Sequence, residues 1–253
     1  YIWHYQLIHH TLWNYDPPAA PILLDVTIDG EPRKIVVQVT KQSYAYVFDR
    51  VTGEPIWPIE ERPAPASDVE GEVTSPTQPH PTRPAPYDRQ GFTVDDLIDF
   101  TPELREQALQ ELGDRRTGPL YTPPSLGGSV QMPGELGGAD WVGGAVDPTT
   151  GVLFIGSKTR PDATFLIPVD DAEAFSAFGG RAQFFGFLDG LPLTTPPYGR
   201  FTAIDMTTGE QLWMRPMGTG PVNHPALADV EDLPKTLGWP TRSFPLVTPD
   251  LLF

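Results

Sequence analysis

The chain has 253 residues, of which 17 are basic and 33 acidic, giving a formal net charge of −16. This acidic balance argues against binding to nucleic acid or to an anionic membrane surface, because phosphate groups would be repelled. Cysteine is absent, which excludes a disulfide framework, a thiolate zinc site and a cysteine nucleophile.

The first predicted elements are short strands. The chain contains 31 prolines and 24 glycines, yet 39% of its residues are hydrophobic, which favours a folded, loop-rich, all-β protein. Residues 22–28, 35–40 and 44–48 are rich in β-branched and aromatic side chains and predict three strands. Asp29-Gly30 predicts a tight hairpin turn between the first two, since both residues tolerate positive φ.

Residues 58–126 differ from this pattern. Prolines recur through the first half of the segment, so no central strand can run there, and we expect a proline-rich insertion wrapped over the scaffold. One helix is predicted within it, at residues 101–112. Thr101 is suited to the N-cap, Pro102 to the first helical position and Gly113 to the end, and apolar residues follow at helical spacing.

A pattern Asp-x-x-Thr-Gly occurs three times, starting at Asp49, Asp147 and Asp205. Each copy follows an apolar strand and predicts a hairpin turn in which glycine supplies positive φ. Tryptophan lies eight residues after the first and third aspartates, at Trp57 and Trp213. Repeated hairpins with a large aromatic residue at a fixed place suggest propeller blades, and chance recurrence of a common turn is the alternative.

Both ends of the chain fit the interior of such a repeat. Trp3 matches the repeated tryptophan, whose aspartate would precede Tyr1, and Leu251-Leu252-Phe253 begins an apolar run. We therefore expect residues 1–253 to be part of a larger propeller.

Several short motifs, in order along nearly the whole chain, resemble the PQQ-dependent (quinoprotein) dehydrogenases. The motifs are His9-His10-x-Leu12-Trp13-x-Tyr15-Asp16, Val39-Thr40-Lys41-Gln42, Tyr46-Val47-Phe48-Asp49, Ser75-Pro76-Thr77-Gln78-Pro79, Phe100-Thr101-Pro102-Glu103, Tyr121-Thr122-Pro123-Pro124, Leu136-Gly137-Gly138-Ala139-x-Trp141 and Pro197-Tyr198-Gly199-Arg200. The resemblance implies an eight-bladed β-propeller, of which this chain would supply roughly three to four blades.

The resemblance also implies a function. Members of the family oxidise a sugar or an alcohol by hydride transfer to pyrroloquinoline quinone (PQQ), with Ca²⁺ polarising the quinone. The implied location is the periplasm, with a possible membrane anchor upstream, and the implied electron acceptor is ubiquinone or a cytochrome. The remaining blades, with further metal ligands, would come from the parent chain.

Asn14 and Lys41 are the first site residues that the resemblance assigns. Asn14 stands where the family has its general base, an aspartate; an amide cannot accept a proton at neutral pH, although its carbonyl suits Ca²⁺. Asp16 is close in sequence but, on a strand, would lie one pleat away. Lys41 matches the lysine that hydrogen-bonds the quinone oxygens and stabilises negative charge there.

Asp140-Trp141 follows two glycines where the family has Asn-Trp in contact with the cofactor. Asp140 would repel the carboxylates of PQQ unless a cation pairs with it, and a packing role is the alternative for Trp141. His9 and His10, if on a strand, would point to opposite faces and could not hold one ion together.

Two other functions stay open. One is a non-catalytic propeller module that binds PQQ or a protein partner, which Asn14 favours. The other is a scaffold without a cofactor, against which Lys41 and Trp141 argue.

Overall fold

The fold was analysed in a computed structural model, which describes residues 2–170 and 178–253. The strands are β1 (Ile22–Ile28), β2 (Glu31–Val39), β3 (Ala45–Asp49), β4 (Ile59–Pro63), β5 (Thr77–Pro81), β6 (Ser129–Gln131), β7 (Gly144–Asp147), β8 (Val152–Lys158), β9 (Asp162–Pro168), β10 (Phe178–Phe184), β11 (Phe187–Leu188), β12 (Leu191–Pro192), β13 (Gly199–Asp205) and β14 (Glu210–Pro216). The described part of the chain has one α-helix, α1 (Pro102–Leu112), and short 3₁₀ turns at Val94–Asp96 and Pro225–Leu227.

The strands pair antiparallel in several sheets. The main ones have the orders β1-β2-β3, β14-β13-β8-β7 and β10-β9-β6, and β4-β5 and β11-β12 form separate hairpins. The turn between β1 and β2 has Asp29 at φ +52° and Gly30 at φ +82°, as the sequence predicts. The architecture is therefore a partial β-propeller made of small antiparallel sheets.

The first two sheets pack face to face. Val37 and Val47 of one sheet and Leu153, Ile155 and Ile204 of the other belong to a single buried hydrophobic cluster. The opposite face of β3 and of the end of β2 is covered by aromatic residues of the N-terminal segment, so this part of the sheet is buried on both sides, whereas β1 exposes alternate residues. Burial on both faces is what a blade inside a propeller requires.

The three Asp-x-x-Thr-Gly copies form the predicted turn. Oδ1 of Asp49, Asp147 and Asp205 accepts a hydrogen bond at 2.7–2.8 Å from the backbone N–H two residues on. The glycines have φ of +74° to +80°. One expectation changes, because the second and third copies connect β7 to β8 and β13 to β14, which are strands of the same sheet. The copies therefore do not mark one blade each.

The tryptophans of the repeat pack against glycines of other turns. A Cβ atom on Gly53 would overlap the indole of Trp3, and one on Gly209 would lie 3.2 Å from the ring of Trp57. These glycines are therefore required for close approach as well as for positive φ.

The proline-rich segment contains the predicted helix. Thr101 Oγ1 accepts from the Leu104 N–H at 3.2 Å as the N-cap, and Ala108 on the apolar face is fully buried. Pro63 and Pro79 lie in the separate β4-β5 hairpin, where a missing N–H breaks no central ladder. None of the helices in residues 2–170 and 178–253 has the length and apolar character to cross a membrane.

Candidate active site

Lys41 lies in the tight turn between β2 and β3. The hydroxyl of Tyr87 donates to the carbonyl of Thr40, and Gln90 Nε2 donates to the carbonyl of Gln42 at 2.7 Å. These bonds satisfy backbone groups on both sides of Lys41 and hold the turn from behind. The lysine is therefore presented from a fixed backbone.

The ammonium group of Lys41 contacts both Asn14 and Asp16. Lys41 Nζ donates to the Asn14 carbonyl at 2.7 Å and lies 3.3 Å from Asn14 Oδ1 and 3.3 Å from Asp16 Oδ1. The lysine side chain is only 7% exposed, so these oxygens compensate for much of its lost hydration. The structure thus brings together the two residues, Asn14 and Lys41, that the sequence placed in one site.

Asp16 shares the face of Asn14, as expected, but neither residue lies on the strand assumed for them. Residues 11–21 form no strand, and Asn14 has a positive φ of +57°. The chain therefore bends at Asn14 instead of alternating, and the side chains of Asn14 and Asp16 reach the same nitrogen atom. His9 and His10 lie in a bend, which agrees with turn histidines, and their rings pair with different carboxylates, Glu61 and Glu72.

The loop of residues 134–141 packs directly against Lys41. A Cβ atom on Gly137 would lie 2.5 Å from the Cα of Lys41, and the Gly138 N–H donates to the Lys41 carbonyl at 3.0 Å. The Gly138 carbonyl accepts from the Lys158 N–H, also at 3.0 Å. The two glycines therefore let the loop pass between the turn that carries Lys41 and the end of β8.

Asp140 is a buried carboxylate paired with two cations. Its Oδ2 atom lies 2.9 Å from Arg242 Nε and 3.5 Å from Lys158 Nζ. The Lys158 side chain is 5% exposed; burial lowers its pKa, and the charge of Asp140 opposes that effect. With one carboxylate and two cations the group carries a net positive charge, so the repulsion that Asp140 would exert on an anionic ligand is offset.

Trp141 does not belong to the core. Its side chain is 55% exposed, and its ring meets that of Phe244 edge to face at a centroid distance of 5.1 Å. Within this chain the indole therefore packs on one ring and leaves an exposed aromatic surface in the residue that follows Asp140.

Lys158 and Arg242 were missed by sequence reasoning. A signal for Lys158 existed, because it ends the strand whose apolar part is residues 152–155, and the charge of Asp140 required a cation. Arg242 stands in a proline-rich segment, about 100 residues from Asp140, and nothing in its local sequence pointed to the pair.

Asp162 supports the start of the loop. Its Oδ2 atom accepts a hydrogen bond from the Glu135 N–H at 2.9 Å. Burial raises the pKa of Asp162 to about 6, although the positive charge of Arg160 acts in the other direction. The carboxyl group of Asp162 thus titrates well above the ordinary range of an aspartate.

The residues present fit PQQ better than they fit a complete calcium site. Exposed Trp141 and the cations Lys41, Lys158 and Arg242 offer what a flat tricarboxylate needs. Calcium takes about six to eight oxygen ligands. Within residues 2–170 and 178–253 no group of three or more acidic or histidine side chains is arranged to hold a metal ion.

Antiparallel blades around cationic and aromatic residues define a quinoprotein-like propeller. The family model described as "PQQ: Glucose/ethanol/alcohol dehydrogenase, beta-propeller domain" matches residues 1–253. The chain therefore belongs to this family, as the sequence motifs indicated.

Named relatives agree with this assignment. The chain is 32% identical to the glycerol dehydrogenase large subunit of Gluconobacter oxydans over 97% of this chain and 37% of the relative. It is 31% identical to the quinate/shikimate dehydrogenase (quinone) of Acinetobacter baylyi, covering 97% and 33%, and 30% identical to the quinoprotein glucose dehydrogenase of Escherichia coli, covering 86% and 30%. The chain thus spans about a third of the length of these curated relatives.

A comparison with solved structures gives a match at lower sequence identity. The europium-containing methanol dehydrogenase matches with a TM-score of 0.48 and 18% identity, covering 83% of this chain and 30% of that chain.

Proposed function

We propose that the protein containing this chain is a PQQ-dependent dehydrogenase that oxidises a sugar or an alcohol. The observation that carries the proposal is the family match over residues 1–253, and the contact between Lys41 and Asn14, both assigned to the site by the resemblance, supports it. We further propose a periplasmic location, with ubiquinone or a cytochrome as electron acceptor. Because the relatives are about three times longer, the remaining blades and the other Ca²⁺ ligands would lie outside this chain.

The site residues of the chain would each have a different role in binding PQQ. PQQ, when bound, accepts the hydride of the substrate. Lys41 would donate to the quinone oxygens in place of its longer contacts of 3.3 Å with Asn14 Oδ1 and Asp16 Oδ1, because an ammonium has three donors and the turn fixes its position. Trp141 would cover the ring system, and Lys158 and Arg242 would attract its carboxylates.

The amide of Asn14, at the position of the family's aspartate, affects the expected rate of turnover. Its Oδ1 atom can accept a hydrogen bond and orient a hydroxyl group or bind a cation, but it cannot take the proton that leaves an alcohol. We therefore propose slow turnover relative to enzymes with an aspartate at this position. This observation also favours a second candidate function, a propeller module that binds PQQ without turnover.

Reconstitution of the full-length protein with PQQ and Ca²⁺ tests the proposal. We expect a shifted visible spectrum of bound PQQ and dye reduction with a sugar or alcohol. Spectral binding with no dye reduction would replace the enzyme by the non-catalytic module. If the protein neither binds PQQ nor reduces the dye, the remaining function is that of a scaffold without a cofactor.

A further inference from the structure

The dipeptide Tyr87-Asp88 contacts the backbone that supports each of the two buried lysines of the site. The hydroxyl of Tyr87 donates to the carbonyl of Thr40, and the N–H of Tyr87 donates to the carbonyl of Ser43 at 3.0 Å. Thr40 and Ser43 are the two ends of the turn that carries Lys41. Tyr87 therefore fixes both ends of the turn that presents the Lys41 ammonium.

Asp88 holds the end of β8 in the same way. Its side chain is 1% exposed, its Oδ2 atom accepts a hydrogen bond from Ser157 Oγ at 2.5 Å, and its Oδ1 atom accepts one from Thr159 Oγ1 at 2.6 Å. These two hydroxyl groups belong to the residues on either side of Lys158. Because successive side chains of an extended chain point to opposite sides, Lys158 points away from Asp88 and reaches Asp140. Asp88 therefore fixes the backbone on both sides of Lys158.

Arg200 balances the buried charge of Asp88. Its Nε atom lies 3.4 Å from Asp88 Oδ1, and its Nη2 atom donates to Thr159 Oγ1 at 2.8 Å. The arginine side chain is also buried, so removing the carboxylate would leave a buried cation without its partner. The hydroxyl groups of Ser157 and Thr159 can be removed without leaving an unpaired charge, which makes these two residues the better positions for substitution.

We propose that Asp88 is a positioning residue that sets the place of the Lys158 ammonium. It acts through the hydroxyl groups on either side of that lysine, while the adjacent Tyr87 fixes Lys41. The inference rests on the proposed function, since it concerns how the cations that would meet PQQ are held. A lysine side chain is long and flexible, so its ammonium keeps one place only where the backbone that carries it is fixed. Because Tyr87 and Asp88 are consecutive residues, the supports of both lysines are tied to one segment.

An equilibrium titration of the full-length protein with PQQ, in the presence of Ca²⁺, tests the role of Asp88. Ser157→Ala removes the hydrogen bond to Oδ2 and should lower PQQ affinity by about 3- to 10-fold, since a typical hydrogen bond contributes a factor in that range. Thr159→Val should have an effect of similar size, whereas Thr159→Ser keeps the hydroxyl group and should bind PQQ like wild type. Thr159→Val also provides the test if Ser157→Ala does not fold.

A double-mutant cycle with Lys158→Met separates positioning from a general loss of stability. Lys158→Met alone should lower PQQ affinity by about 10-fold. If Asp88 acts through Lys158, Ser157→Ala should change the affinity by less than about 2-fold in the Lys158→Met background. Ser129→Ala is the matched control, because Ser129 is also buried and its Oγ atom donates to the Pro123 carbonyl at 2.8 Å. The control should lose stability as Ser157→Ala does but keep the wild-type affinity for PQQ.

Chemical labelling of Lys158 gives a second readout that needs no PQQ. Trinitrobenzenesulfonate modifies free amines, and the rate at Lys158 is followed by peptide mass spectrometry relative to the rate at Lys34, an exposed lysine of β2. Ser157→Ala and Thr159→Val should each raise this relative rate by about 3- to 10-fold, because the ammonium would leave its buried place more often.

The outcomes separate this inference from the proposed function. Unchanged PQQ affinity in both hydroxyl variants, or an equal loss in the Lys158→Met background, overturns the role of Asp88 and leaves the proposed function standing. If wild type binds no PQQ, the proposed function fails and the labelling decides. An unchanged rate at Lys158 then overturns the positioning role, and a faster rate in the variants supports it.

Discussion

Lys41, which packs against the loop of residues 134–141, and Asp140, which belongs to that loop, are both buried charges, yet their surroundings are opposite. The Lys41 ammonium is surrounded by oxygen atoms of Asn14 and Asp16, and the pair of Lys41 with Asp16 is neutral. The Asp140 carboxylate has two cations beside it, and that group is positive. The difference shows how one loop can serve two tasks: a hydrogen-bonding point for a polar reacting group on one side, and attraction for an anion on the other.

The largest expected effect is that of a substitution at Asn14, whose oxygen atoms contact the Lys41 ammonium. Asn14→Asp would place a second carboxylate, beside that of Asp16, at the position that the resemblance assigns to the general base, and general base catalysis contributes about 10²–10⁴-fold. The variant of the full-length protein, loaded with PQQ and Ca²⁺, should gain in kcat by a factor in that range with little change in PQQ affinity. Asn223→Asp, an exposed position, is the matched control. A parent that is already fast, with no gain in the variant, would show that Asn14 is not the base position.

The second prediction concerns Asp162, whose carboxylate accepts a hydrogen bond at the start of the loop of residues 134–141. Folding raises the pKa of Asp162 from 3.8 to about 6, so the folded state holds its proton more tightly than the unfolded state. This contribution to the free energy of unfolding is fully present below pH 4 and is lost as pH rises through 6, a change of about 3 kcal/mol. Asp162→Asn removes it, since an amide does not titrate.

Denaturant unfolding of wild type and Asp162→Asn at pH 4 and pH 7 measures this change. We expect the variant to gain stability relative to wild type by about 2 kcal/mol between the two pH values, because part of the change already occurs below pH 4. Asp189→Asn, at an exposed turn, should show no such gain. An equal difference at both pH values would mean that Asp162 does not titrate in this window.

The smallest expected effect is that of a substitution at Arg242, one of the two cations beside Asp140. Arg242→Gln removes one of the two cations from Asp140, but the arginine side chain is 44% exposed and screened by water. PQQ affinity should fall by about 3- to 5-fold, and added salt should weaken binding less in the variant than in wild type. Arg33→Gln on the exposed part of β2 is the control. A salt dependence equal to that of wild type would remove Arg242 from the anion-binding group.

The sequence predicted what depends on local chemistry. Asp29-Gly30 and the Asp-x-x-Thr-Gly turns need positive φ, and Thr101-Pro102 marks a helix start, so these elements were found where expected. Their grouping was not predicted, because the turns at Asp147 and Asp205 share one sheet only through the long-range pairing of β8 with β13.

The site residues also divide into those that the sequence predicted and those that depend on long-range contacts. Lys41 and Asn14 could be paired because both belong to motifs at a known spacing. The contact of Asp16 with Lys41 was not predicted, because it joins two segments 25 residues apart and residues 11–21 form no strand whose geometry could have been assumed. Lys158 and Arg242 reach Asp140 from distant segments, and charge balance alone could require such partners but not identify them.

The most direct test of the account is an equilibrium titration of the full-length protein with PQQ in the presence of Ca²⁺, followed by the visible spectrum. Wild type should bind saturably. Lys41→Met should lose about 10- to 100-fold in affinity, because a hydrogen bond from a charged group is worth about 1.5–3 kcal/mol. Lys34→Met, an exposed lysine on β2, should bind like wild type. Equal affinity in wild type and Lys41→Met, or no saturable binding to wild type, would contradict the account.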